Sequence, residues 1–240
     1  MSPKTLNRAR RPVRVSSDVA MSYQVRFETI AGLDDKDETT GLVTVDGTII
    51  HTPDGMAAVP AGKFRGLCVR WARCRETLFD LCDKSQELSD ITSLVWDHEK
   101  TAYRAELGLD TDVCGDLIIP SSMEILPAHR GKGIGLLVLW RFLDYFGDGA
   151  AIAVLKPYPL NHNEEARHED NYLPMQYDRL SKMPVEKGVA KIGRHWKRLG
   201  FKPVPKGCRA GSFDSDEYLY LDMSCPLPSL SDLNLIARSS

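Results

Sequence analysis

The 240-residue sequence has no run of about 18 apolar residues, so no membrane-spanning helix is expected. Its N-terminus is basic but lacks the apolar core of a secretory signal. Six cysteines, at 68, 74, 82, 114, 208 and 225, contain no C-x-x-C pair. That argues against a zinc ribbon or a thioredoxin-like centre, and no metal is expected. A chain this long does not need disulfide staples, so free thiols in a reducing cytoplasm are expected, several of them as core fillers. The net charge of −2 gives no overall basic field, which makes nucleic acid an unfavoured partner. No internal repeat is visible.

What the chain does have is ordinary globular material: 42% hydrophobic and 27% charged residues. The organisation expected is a flexible basic arm over 1–20, one domain over 21–225 and a polar surface tail over 226–240. The arm carries Lys4, Arg8, Arg10, Arg11 and Arg14.

The most informative stretch runs from Met123 to Phe146. The apolar run Met123 to Leu126 suits a strand, and Pro127 ends it because proline has no N–H to donate. A loop of Arg130, Gly131, Lys132, Gly133, Ile134 and Gly135 follows. Leu136, Leu137, Leu139, Trp140, Leu143 and Phe146 then recur at helical spacing, and Gly147 and Gly149 stop the helix. Glycine lets the main chain approach a ligand closely, and the first N–H groups of a helix have no internal partners. With two basic side chains added, the stretch reads as a cradle for an anion, most simply a pyrophosphate. A tight turn with solvated basic residues is the plainer alternative. A Walker A loop is excluded because Gly133 follows Lys132. The dinucleotide fingerprint is excluded because Gly131, Gly133 and Gly135 alternate and no glycine stands at 136.

Elsewhere, Tyr23 to Ile30 alternates as a strand. Gly41 to His51 is strand material with Asp46-Gly47 as a hairpin turn signal. Lys63 to Cys82 has helical spacing, with a strand through Lys63 to Trp71 as the competing reading. Ser85 to Trp96 suits a helix. Leu117 to Pro120 and Met123 to Leu126 form one kinked strand or two, and Ala150 to Leu155 reads as a buried parallel strand. Pro157 to Pro184 is long for a loop and rich in polar residues. A helix over Val185 to Leu199 and strands at Phe201 to Val204 and Tyr218 to Asp222 complete an α/β (α+β) pattern.

Arg130, Gly133 and Gly135 fill an R/Q-x-x-G-x-G/A pattern after a strand and a proline. This resembles motif A of the GNAT superfamily, the GCN5-related acyltransferases. HWKRLGF, His195 to Phe201, is similar to the family's motif B, and EYLYLDM, Glu217 to Met223, to its closing strand. The likeness covers residues 113 to 223 and is weak over 20 to 100.

The resemblance implies a mixed, mostly antiparallel sheet flanked by helices. It implies acetyl-CoA as co-substrate, with pyrophosphate on Arg130 to Gly135 and the pantetheine arm on the main chain of Ile125 and Leu126. A gap between that strand and Ala150 to Leu155 would admit the arm. A main-chain N–H near Leu126 would face the acyl oxygen. The other partner is an amine-bearing substrate of unread identity, and homodimerisation is left open.

Direct attack needs a neutral amine, and at a pKa of about 10.4 only about one amine in 2,500 is neutral at pH 7. Glu124 is the candidate base; a solvated or arginine-paired carboxylate is the alternative. His129, His162 and Glu164 read more simply as loop residues, and Cys114 as a structural thiol rather than an acyl-enzyme nucleophile. Where many family members carry a tyrosine that protonates the thiolate, this chain has Trp196, leaving Tyr172, Tyr177 or water. The rival functions are a non-catalytic CoA-binding module and an RNA- or ribosome-associated protein using its basic arm.

Overall fold

The computed structural model describes residues 23–31, 41–53, 56–71, 78–109, 115–159, 184–208 and 218–235. The expected basic arm, most of the long loop over Pro157 to Pro184, and Cys74 and Cys114 lie outside them.

The architecture is mixed α/β around a seven-stranded sheet. Strands β1 (Tyr23–Ala31), β2 (Leu42–His51) and β3 (Val59–Val69) form an antiparallel meander. β6 (Asp116–Ile125) follows it antiparallel, β7 (Ala150–Leu155) lies parallel to β6, and β9 (Leu219–Asp222) and β8 (Lys202–Pro203) close the far edge. The order across the sheet is β1-β2-β3-β6-β7-β9-β8. A separate two-stranded ribbon, β4 (Trp96–Asp97) with β5 (Ala102–Tyr103), sits beside it. Among the described strands the β6–β7 pair is the one parallel contact, and the helix between them crosses over the sheet.

Each face of the sheet has its own core. On one face, α3 (Ile134–Phe146) buries Leu136, Leu139, Phe142 and Leu143 against Val45, Phe64, Cys68 and Ile118. Each such side chain removed from water stabilises the fold by about 1.5–3 kcal/mol. On the other face, α1 (Leu78–Cys82) and α2 (Gln86–Val95) pack on Val69, Leu117, Ile119, Ile152 and Val154. The Ser85 side chain caps α2 by accepting from the Leu88 N–H. α4 (Val185–Lys197) stands beside the sheet's C-terminal half. Among the described residues no helix is long and apolar enough to cross a membrane.

Three expectations need correcting. Asp46-Gly47 is not a turn: both residues lie inside β2, where Gly47 pairs with Phe27 on one side and Phe64 on the other. Lys63 to Cys82 is not one helix: the strand reading holds through Val69, and Leu78–Cys82 is helical. β3 is covered on both faces only at its end, where Leu67, Cys68 and Val69 run together and, with Phe64, take on helical spacing. Of the two readings for the apolar runs at 117–126, one kinked strand holds: β6 is continuous, with an irregularity between the pairs Arg65–Ser122 and Gly66–Pro120.

The third correction concerns the chain beyond Pro226, which is not a surface tail as far as residue 235. Leu233 and Leu235 are buried in the α3 core, with Leu227 and Leu230 packed against it. The Trp140 indole donates to the Pro228 carbonyl at 2.8 Å, and Arg198 donates to the Leu233 carbonyl.

Candidate functional site

β6 and β7 start as neighbours and then part. Their pairing covers Asp116, Leu117 and Ile118 of β6 and stops there, while β6 runs on to Ile125. The opening between them is a groove of about 510 Å³, walled by β6 from Pro120 to Ile125, by the end of β7 and by α4. At one end it meets the glycine loop and the first turn of α3; at the other it reaches Lys156 and Tyr158.

The loop end is built by main-chain geometry. Gly131 and Gly133 have φ of 78° and 77°, a left-handed conformation that favours glycine. Gly133 caps α3 without any side-chain hydrogen bond, so the N–H groups of the first turn have no capping partner. Ile134 is buried and can offer only its main chain, whereas Lys132 is exposed. Gly135 lies against the groove: a Cβ there would stand 3.3 Å from Met123 Sδ and 3.5 Å from His195 Nε2.

Two expected site residues have a different task from the one their sequence position suggests. The Arg130 side chain donates from Nε to the Ile125 carbonyl at 2.8 Å, so it pins the loop to the end of β6 while lining the groove. The Leu126 N–H donates to the Ala61 carbonyl at 2.9 Å. It is engaged in the sheet and does not face an acyl oxygen. Ile125 pairs with Gly62 and lines the groove, as does half-buried Glu124. Trp196 also lines it, half-buried, where the tyrosine was sought. His162, Glu164, Tyr172 and Tyr177 lie outside the described residues.

Further residues gather at and beside the groove. His195 lines the wall beside Trp196, ring to ring at 4.9 Å. Burial, then the Arg198 charge, lowers its pKa below the usual histidine value. His129 is hydrogen-bonded through Nδ1 to the Tyr23 hydroxyl at 2.9 Å, and His51 stacks on Tyr23 at 4.6 Å. Desolvation, then His51 and Lys132, lowers the His129 pKa. Arg198 and Lys132 flank the loop, and Lys156 lies over the Tyr158 and Tyr218 rings at the opposite mouth. The motif HWKRLGF contained His195, but only the fold shows which way it points.

Among the described residues no group of three or more His, Cys, Asp or Glu side chains is placed to hold a metal ion. Cys68, Cys82 and Cys208 are buried free thiols and Cys225 is exposed. Burial pushes the Cys68 thiol up to about 11, against the lowering effect of Arg70. None of these four thiols lines the groove.

No protein-family model matches the chain, no curated protein matches it and no solved structure matches it.

Proposed function

We propose that this chain is an acyl-CoA-dependent N-acyltransferase of the GNAT type, acetyl-CoA being the simplest donor. One observation carries the reading: the split between β6 and β7 opens directly onto a left-handed glycine loop and an uncapped helix start. A long thin acyl arm ending in a pyrophosphate fits a narrow groove that ends in a cradle of main-chain N–H groups.

The chemistry asks little of the protein. The amine nitrogen attacks the acyl carbon, the C–N bond forms, the C–S bond breaks and the thiolate leaves. The groove holds the thioester still, which removes much of the entropic barrier. Freeing the amine of its proton costs about 4.6 kcal/mol at pH 7 for a lysine-like amine. Glu124, on the groove wall, is the carboxylate placed to take that proton directly or through water. The indole of Trp196 is no acid at neutral pH, so the thiolate takes its proton from solvent.

Trp196 also favours a second reading, a CoA-binding module without turnover. Calorimetry followed by turnover separates the two. CoA should bind wild type, and Lys132→Glu should weaken it about tenfold or more by setting a like charge beside the diphosphate. Release of thiol from acetyl-CoA with a panel of amines then marks the enzyme. Absence of CoA binding in wild type would sink both readings.

A further inference from the structure

With the Leu126 N–H engaged by Ala61, the donor for an acyl oxygen has to lie elsewhere on the groove wall. The irregularity in β6 supplies a place. Ser122 pairs with Arg65 and Pro120 with Gly66, so Ser121 between them faces no residue on β3. On its other side, pairing with β7 has already stopped at Ile118–Ala153. Ser121 is therefore skipped in the pairing with β3 and lies past the end of the pairing with β7, and it lines the groove. Its Oγ is buried and has no hydrogen-bond partner. A hydroxyl in that state costs stability unless something completes its hydrogen bonding. A bulge that re-aims one side chain is a recurring device beside ligand sites.

We infer that the Ser121 hydroxyl donates a hydrogen bond to the carbonyl oxygen of the bound thioester. This rests on the acyltransferase reading and names the residue that steadies its transition state. As the amine attacks, the carbonyl electron pair moves onto oxygen, and a fixed O–H in a dry cleft meets that charge. When the intermediate collapses, the pair returns, the C–S bond breaks and the thiolate leaves. The amine proton passes to Glu124 or water. Ser121 keeps its own proton throughout and forms no covalent bond.

The test needs no known acceptor. Acetyl-CoA labelled with 13C at the carbonyl is bound to the full-length chain, and the carbonyl stretch is read by difference infrared spectroscopy. Wild type should shift it to lower frequency, Ser121→Ala should return it to the free value, and Ser121→Thr should restore the shift. Free CoA, which has no acyl carbonyl, should bind wild type and Ser121→Ala equally. With an accepted amine, kcat of Ser121→Ala should fall about 100-fold with little change in KM for acetyl-CoA. Its melting temperature should equal or exceed that of wild type, because an unpartnered buried hydroxyl has gone. An equal carbonyl shift in wild type and Ser121→Ala would overturn the inference and leave the acyltransferase reading standing. A Ser121→Ala protein that melts well below wild type would assign the hydroxyl to structure and overturn it too. Failure of wild type to bind CoA would overturn the reading and the inference together.

Discussion

Arg70 and Asp116 meet at 2.9 Å where β6 begins, the carboxylate almost wholly buried and the guanidinium largely so. Arg70 also donates to the carbonyls of Phe146 and Asp148, at the end of α3 and just beyond it. One side chain thus joins the start of the groove strand to the end of the helix that follows it.

Arg70→Met should therefore destabilise the protein by about 3–5 kcal/mol, because it leaves a carboxylate buried without its cation. Replacing both residues with apolar ones of similar size should recover much of that loss. Urea midpoints of the two variants and wild type measure the difference. A single variant within 1 kcal/mol of wild type, on the order of ordinary surface changes, would show that the pair does not hold the fold.

Acid should weaken the fold through His195. Its folded pKa is lowered, so the native state resists a proton that the unfolded chain accepts near pH 6.5. By linkage the unfolded state then binds more protons, and stability is lost as pH falls below about 6.5 until the folded pKa is reached. His129 is lowered as well and acts in the same direction. Melting temperature against pH should show the fall, and His195→Gln should flatten it. An unchanged slope in that variant would remove His195 from the account.

Gly131→Ala and Gly133→Ala should differ. Both place a side chain at left-handed φ, which costs about 1–2 kcal/mol. At Gly131 the new methyl meets open space, but at Gly133 it would stand 2.7 Å from Leu235 Cδ2. Gly133→Ala should be the more damaging, and Leu235→Ala should relieve part of the excess. A double-mutant cycle by chemical denaturation measures the coupling; zero coupling would mean that Leu235 does not rest on the loop.

The central unit of the fold could be read in advance because its signals are local. A proline ended the apolar run, glycines bent the loop, and Leu136 to Phe146 kept helical spacing. Ala150 to Leu155 was uniformly apolar because β7 is buried on both faces. β3 misled because only its end is covered on both faces: Leu67, Cys68 and Val69 run together and, with Phe64, mimic helical spacing. Asp46-Gly47 carried a turn signature that sheet pairing on both sides overrode. The site was less legible. Nothing near Leu126 says that its N–H goes to Ala61, and nothing near His129 points to Tyr23. Such contacts depend on which strands become neighbours. Ser121 could have marked a kink in one strand or a break between two, and only the pairing with β3 shows it to be an irregularity in one.

Residues 226 to 235, through Leu235 above Gly133 and the Arg198 tie to Leu233, are made after everything they cover. During synthesis the strand, the turn and α3 leave the ribosome with the glycine loop still uncovered. The glycine loop then reaches its final shape only when this later stretch has emerged and folded back, so a nascent chain should acquire the proposed anion site last.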